Sequence, residues 1–273
     1  SADYRWFMAR ALPVRDDSGR IIRWFGTSTD IHDSKRTEEA LRKANADLEQ
    51  FTYSASHDLK EPLRMVGVYS EIVQRRYGPR LDDDAREYLS YMVQGARRMD
   101  MLVRDLLAYT QVVSVTEEQI RPASTNSVLQ QVLANLMGAI QESGASITVG
   151  RLPATVAVDE VHLLQLLQNL IGNAIKYRAE LPPVIDIAAE YDGAMWKVCV
   201  HDNGIGIAPE YREQVFGIFK RLHTAEKYPG TGIGLAICQK IVHRYGGHIW
   251  VESEGEGKGS RFYFTIPGPN EPQ

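Results

Sequence analysis

Asn169, Asn173 and Lys176 are separated by four and three positions, so a helix through this segment sets two amides and an ammonium on one face. Leu166, Leu167, Leu170 and Ala174 fall mostly on the other face. Amide oxygens are hard ligands that suit Mg²⁺, which completes its octahedron with waters and substrate phosphates. Two glycine-punctuated runs follow. Asp202-Asn203-Gly204-Ile205-Gly206 leaves the end of a strand, and Gly230-Thr231-Gly232-Ile233-Gly234 opens a helix, where free N–H groups and absent side chains admit phosphates. Between them, Phe216 and Phe219 can anchor a loop that carries Lys220, Arg221 and Lys227 over a triphosphate. Taken singly, each feature also reads as a turn, a solvated helix face or a pinned surface loop. No Lys-Ser/Thr follows the glycines as in a Walker sequence, and the first run lacks the helix and distant carboxylate of a dinucleotide fingerprint.

A fourth feature lies far upstream. Ser56–Arg64 (SHDLKEPLR) interrupts an apolar helical seam with His57, Asp58, Lys60, Glu61 and Pro62. A helix-interior proline costs about 3 kcal/mol. A neutral imidazole nitrogen, available because the reference pKa is near 6.5, can attack a γ-phosphate at neutral pH. A lone helical histidine is otherwise structural or merely exposed. Pro62 predicts a kink just past His57, which is either a hinge or a tolerated distortion.

These groups need elements to position them. At 273 residues, 44% hydrophobic and 24% charged, the chain is long enough for about two folded units and is neither disordered nor fibrous. Lys+Arg 31 against Asp+Glu 35 gives a formal net charge of -4, which offers no electrostatic case for nucleic acid or an anionic membrane surface. Cys199 and Cys238 lack the paired spacing of a zinc site or disulfide framework, and a reducing compartment fits. No apolar stretch approaches the roughly 18 residues of a membrane span, and residues 1–15 lack signal-peptide character.

Residues 4–14 and 20–31, joined at Asp16-Asp17-Ser18-Gly19, predict a β-hairpin that ends a larger upstream sheet. From Asp33 a coiled-coil seam runs through Leu41, Ala44, Leu48, Phe51 and Ala55, and a second through Ala85, Leu89, Met92, Ala96, Met99, Val103, Leu106, Thr110 and Val113. Separated at Tyr77-Gly78-Pro79-Arg80, they predict an antiparallel helical hairpin whose two stripes are buried only in a dimeric four-helix bundle. Beyond Val113 the pattern is mixed: helices at 124–142, 160–178 and 231–245, a short helix near 209–216, and strands at 145–149, 155–158, 184–191, 194–200, 248–253 and 261–266. This predicts a two-layer α/β sandwich of three helices on a mixed sheet of about five strands. The Glu254–Gly259 loop reads as a polar connection only.

In this order the elements resemble the histidine protein kinases, whose ATP-binding domain has the Bergerat fold shared with gyrase-type ATPases and a heat-shock chaperone. Gln165–Arg178 resembles that family's N box, Asp202–Ile207 its first glycine box, Phe216–Leu222 its F box, and Gly230–Ile237 its second glycine box. The resemblance implies that Asn173, with Asn169, holds Mg²⁺ on the phosphates and that Lys176 and Tyr177 line the nucleotide. It also implies that Asp202 accepts the adenine amino group, that Gly204 and Gly206 admit the ring, and that Gly230, Thr231, Gly232, Gly234 and Leu235 shape the lid and phosphate end. Ser260 is a further adenine-side group on the same argument. The SHDLKEPLR segment resembles the H box, which makes His57 the phosphoacceptor and Asp58 the base at its other ring nitrogen. One position departs: many relatives carry Thr or Asn four residues after the histidine, where it orients water for dephosphorylation, and here stands Glu61. Weak phosphatase activity is therefore expected. Gly26–Ile31, passing into a charged helix, resembles the exit of a PAS sensor domain.

The resulting expectation is an α+β multidomain chain: 1–32 the remnant of a PAS-like sensor domain, 33–115 the dimerisation and phosphotransfer hairpin, 116–273 the catalytic ATP-binding domain. It resembles a phytochrome- or PAS-type sensor histidine kinase in the bacterial cytoplasm, using ATP and Mg²⁺ to phosphorylate His57 and pass the phosphoryl group to an aspartate of a response regulator receiver domain. Its expected partners are a second copy through the helical hairpin, the receiver domain and an upstream sensor domain, with no nucleic acid and no membrane span in this chain. The alternatives are a catalytically weak ATP-binding signalling scaffold and a gyrase- or chaperone-type ATPase.

Overall fold

The computed structural model describes residues 4–112, 122–193, 195–222, 228 and 230–268, apart from the side chains of residues 45, 48, 49, 51, 53 and 57. The chain divides into two compact units, Ser1–Ser54 and Ala55–Gln273.

In the first unit, β1 (Phe7–Arg15) and β2 (Ile21–Asp30) pair antiparallel, with Phe7 opposite Asp30 and Pro13 opposite Trp24. The Asp16 carboxylate closes the turn by accepting the Ser18 and Arg20 amides at 3.0 and 2.9 Å. Leu12, Ile22, Trp24 and Phe25 stay exposed, so the ribbon has no covered face. Helix α1 (His32–Tyr77) starts where the Asp30 carboxylate accepts the His32 amide at 3.0 Å. It continues through Pro62 without interruption. A single proline forfeits one ladder hydrogen bond, and the turns on either side carry on.

In the second unit a 3₁₀ turn at Gly78–Arg80 leads into α2 (Asp83–Gln111), where the Asp82 side chain caps the helix by accepting the Ala85 amide at 2.8 Å. Arg97 and Glu71 pair at 2.7 Å across the hairpin. Of the expected seam, Ala96 and Val103 are buried, while Met92 and Met99 are exposed, as are Met65, Tyr69 and Ile72 of α1. One hairpin covers only one of its stripes. Val113 lies outside the described residues.

The sandwich sets α3 (Thr125–Ser143), α4 (Glu160–Lys176) and α5 (Gly234–Arg244) on a five-stranded sheet. The strands are β4 (Ser146–Val149), β6 (Val184–Tyr191), β7 (Met195–Asp202), β9 (Ser260–Pro267) and β8 (Ile249–Glu252), in that spatial order. Only β4 and β6 run parallel. A two-residue ladder of β3 (Ala123–Ser124) and β5 (Thr155–Val156) stands apart. Period-2 alternation in β6 buries Ile185, Ile187 and Ala189 in one core with Leu166, Leu170 and Ile171 of α4 and Ile237 and Ile241 of α5. Leu102, Ala108 and Tyr109 of α2, and Val112 just past its end, join this core.

The strand expected at 155–158 is only Thr155–Val156 and pairs outside the main sheet, the helix expected at 160–178 ends at Lys176, and two further differences bear on the site. α5 begins at Gly234 rather than Thr231, because Gly232 takes φ 78° and cannot continue a right-handed helix. The expected short helix at 209–216 is two 3₁₀ turns, Pro209–Tyr211 and Gln214–Phe216. Among the described residues, no helix is long and apolar enough to cross a membrane.

Candidate functional site

The buried leucines of α4 fix the rotation of that helix. Asp159 caps it, accepting the Val161 amide at 3.0 Å, while Leu166 and Leu170 are at most 1% exposed. The opposite face is thereby turned into a cavity of about 280 Å³, which Asn169, Asn173, Lys176 and Tyr177 line together. Thr231 and Gly234 of the second glycine run stand at the same end, with Gly230, Gly232 and Leu235. Gly234 packs closely on this face: a Cβ there would lie 3.1 Å from Asn169 Oδ1, so the amide would have to shift by a few tenths of an ångström.

At the other end, Asp202 and Ser260 face each other on paired strands. Asp202 is 6% exposed, and its Oδ1 accepts the Gly204 amide at 2.8 Å. Burial pushes its carboxyl up to about 6, against the lowering effect of backbone hydrogen bonds from Gly204 and Ser260. The walls here are apolar: Ile205, Ile207 and Phe262, the last held edge to face by Phe216 with centroids 6.5 Å apart. Gly204 does not line the cavity itself; a Cβ there would stand 2.4 Å from the Tyr177 carbonyl oxygen. Gly206 takes φ 72°, and a Cβ on it would meet the Gly255 carbonyl oxygen at 2.0 Å. The Glu254–Gly259 loop therefore does more than connect strands. Its Gly257 and Gly259 amides donate to the Ile205 and Gly204 carbonyls at 2.7 and 3.1 Å, pinning the first glycine run.

The lid residues separate. Lys220 lines the cavity, whereas Arg221 turns away and donates to the Tyr228 carbonyl at 2.9 Å. Phe216 is buried, but Phe219 is 58% exposed with φ 61°, so only one of the two expected anchors holds the loop. Lys227 lies outside the described residues. Lys176 Nζ donates to the Tyr177 hydroxyl at 2.9 Å and lies 4.2 Å from its ring centroid. His57 falls within α1 with its side chain outside the description, and Asp58 is exposed and does not line the cavity.

Two lining residues, Met101 and Asp105, come from α2 and have no counterpart in the sequence expectations. The Thr231 hydroxyl donates to the Asp105 carboxylate, and Lys240 Nζ donates to the Tyr109 carbonyl at 2.8 Å. Read from sequence, Asp105 is one polar residue between seam positions and carries no signal.

Amide oxygens, an ammonium and helix-start N–H groups at one end suit a phosphate chain with a hard divalent cation. A buried carboxylate between apolar walls at the other end suits a planar ring bearing an amino group.

Comparison with known proteins bears on both parts of the chain. Residues 47–114 match the family model "His Kinase A (phospho-acceptor) domain", and residues 158–270 match "Histidine kinase-, DNA gyrase B-, and HSP90-like ATPase". The phytochrome-like protein Cph1 of Synechocystis is 45% identical over 227 residues, covering 83% of this chain and 30% of that protein. Full-length ShkA, solved in complex with AMPPNP, superposes with a TM-score of 0.61 at 27% identity over 80% of this chain and 45% of that one. The histidine kinase ThkA, solved with the response regulator protein TrrA, shares the fold: TM-score 0.57 at 23% identity, covering 100% of this chain and 78% of that one.

Proposed function

The chain belongs to the histidine kinases of two-component signalling, and from that premise we propose that it transfers the γ-phosphoryl group of ATP to His57 and then to an aspartate of a response regulator receiver domain. The observation that carries this reading is a single cavity joining a buried Asp202 to the amides of Asn169 and Asn173 and the ammonium of Lys176. The chain spans less than a third of Cph1, so the activity and partners of the whole protein are part of the proposal.

In this reading Asp202 accepts the adenine amino group, with Ser260 beside it, and Tyr177 and the apolar walls enclose the ring. Asn173 and Asn169 would hold Mg²⁺, which when bound neutralises charge on the phosphate oxygens. Lys176 and Lys220 add positive charge, and the backbone from Gly230 to Leu235 shapes the phosphate end. A His57 ring nitrogen forms the N–P bond as the β–γ bridging P–O bond breaks and ADP leaves. Asp58 takes the proton released from the other ring nitrogen. The exposed apolar stripe of the hairpin supports pairing with a second copy, and the uncovered β1–β2 ribbon supports an upstream sensor domain ending near residue 32. We assign 33–115 to dimerisation and phosphotransfer and 116–273 to catalysis, in a cytoplasmic bacterial protein.

Incubation with γ-labelled ATP and Mg²⁺ tests this. Acid-labile, base-stable label on the wild-type chain, absent from His57→Gln, is the expected result. Label surviving in His57→Gln refutes the acceptor; free phosphate with no bound label favours an ATPase.

A further inference from the structure

The cavity has a wall that the sandwich does not supply. Met101 and Asp105 of α2 line it beside Asn169, Asn173 and Thr231. Asp105 accepts a hydrogen bond from the Thr231 hydroxyl, in the glycine run that faces the phosphate end. Within α5, Lys240 Nζ donates to the Tyr109 carbonyl at 2.8 Å and lies 4.3 Å from the Tyr109 ring centroid, so α2 meets the sandwich both at the glycine run and at the helix that follows it. Among the described residues, the other polar groups at this end are neutral amides, hydroxyls and N–H groups or the Lys176 ammonium, and none of them repels phosphate. A carboxylate does: it carries the same sign as the incoming oxygens, and the low dielectric of a partly enclosed cavity enlarges the repulsion.

We propose that Asp105 couples nucleotide occupancy to the seating of the sandwich on α2. A polyphosphate in the cavity repels the Asp105 carboxylate, the Thr231–Asp105 hydrogen bond opens, and the contact around Lys240 and Tyr109 loosens. The seated arrangement lowers nucleotide affinity by the same factor, because coupling between two equilibria is reciprocal. Asp105 is thus a positioning residue of the phosphoacceptor hairpin, which releases the sandwich when nucleotide enters. This inference rests on the reading of the cavity as a nucleotide site.

Calorimetric titration of the full chain with Mg²⁺ and AMPPNP tests it, with hydrogen–deuterium exchange across residues 105–112 as the second readout. Asp105→Asn keeps the size of the side chain and an acceptor for Thr231 while removing the charge. It is expected to bind about tenfold more tightly, about 1.4 kcal/mol. Lys240→Ala, which loosens the seat without touching the cavity, is expected to tighten binding as well. Saturating nucleotide should raise exchange across 105–112 in the wild type and leave it unchanged in Asp105→Asn. Unchanged affinity in Asp105→Asn overturns the coupling, and weaker affinity overturns it in favour of Asp105 as a ligand of the bound metal. Exchange that falls when nucleotide binds the wild type also overturns it. A wild-type chain that binds no nucleotide overturns the underlying reading, and the coupling with it.

Discussion

Replacing Asp202 with asparagine should stabilise the empty protein at neutral pH while weakening its hold on nucleotide. The carboxyl is 6% exposed, and burial pushes it from the ordinary 3.8 to about 6. In the unfolded chain it returns to its ordinary value, so between those pH values the folded state binds more protons and stability falls as pH rises. At about 1.36 kcal/mol per unit, the full penalty is about 3 kcal/mol above pH 6, vanishing below about pH 4. Asparagine escapes that penalty and keeps an acceptor for the Gly204 amide at 2.8 Å. It can present an N–H group to the Ser260 amide, a lost hydrogen bond costing about 1 kcal/mol. The variant is therefore expected to be more stable by about 2 kcal/mol near pH 8, the advantage shrinking by roughly that amount near pH 4.5. Urea unfolding of both proteins at several pH values, followed by tryptophan fluorescence, reads the difference; Trp196 packs against the core and reports on it. Nucleotide affinity should fall by about 10- to 150-fold, because a charge-assisted hydrogen bond contributes about 1.5–3 kcal/mol. A stability difference that stays constant with pH, or grows towards acid, would mean that water reaches the carboxylate and that burial does not raise it.

Three further outcomes follow from other parts of the structure. Gly206→Ala should lose more stability than Gly257→Ala: both glycines have φ above +70°, worth about 1–2 kcal/mol, but only at Gly206 does a Cβ meet a carbonyl, 2.0 Å away. Equal losses in chemical denaturation would show that the loop at Gly255 yields freely. Cys238 is fully buried and its thiol is pushed up to about 12 by desolvation, so maleimide should not modify it in the folded protein at pH 8, whereas urea should expose it; mass spectrometry after timed labelling checks this. With Glu61 at the position where the H-box resemblance leads to an expectation of Thr or Asn, the chain should remove phosphate from a phosphorylated receiver domain slowly, and Glu61→Ala should leave that rate unchanged. Rapid removal that Glu61→Ala abolishes would contradict the expectation.

The nucleotide end of the site was legible because it lies along single elements. Asn169, Asn173 and Lys176 share a face by helical period alone, and the leucines that bury the opposite face guarantee which way it points. Asp202 and Ser260 were recoverable from motif likeness, and the register of β7 against β9 sets them side by side. Legibility ended where long-range placement begins. Nothing local says that the 254–259 loop must pin Gly204 and Ile205, because those hydrogen bonds join backbone groups about 50 residues apart. Nor does the spacing of charged residues show that Lys220 turns inward and Arg221 outward, which depends on the Tyr228 carbonyl and on a left-handed backbone at Phe219. Asp105 was hidden for the same reason: the seam of α2 records which residues are apolar, not what its polar flank touches.

In the proposed reaction, nucleotide held between Asp202 and Asn173 delivers its terminal phosphate to one imidazole of α1. Mass spectrometry of the chain at neutral pH, after incubation with Mg²⁺ and ATP, tests it most directly by locating the phosphoryl group. A phosphoryl group is expected on the peptide containing His57, lost on mild acid treatment and absent when Asn173 is replaced by alanine. ADP accumulating with that peptide unmodified, or the modification persisting in Asn173→Ala, would contradict that reaction.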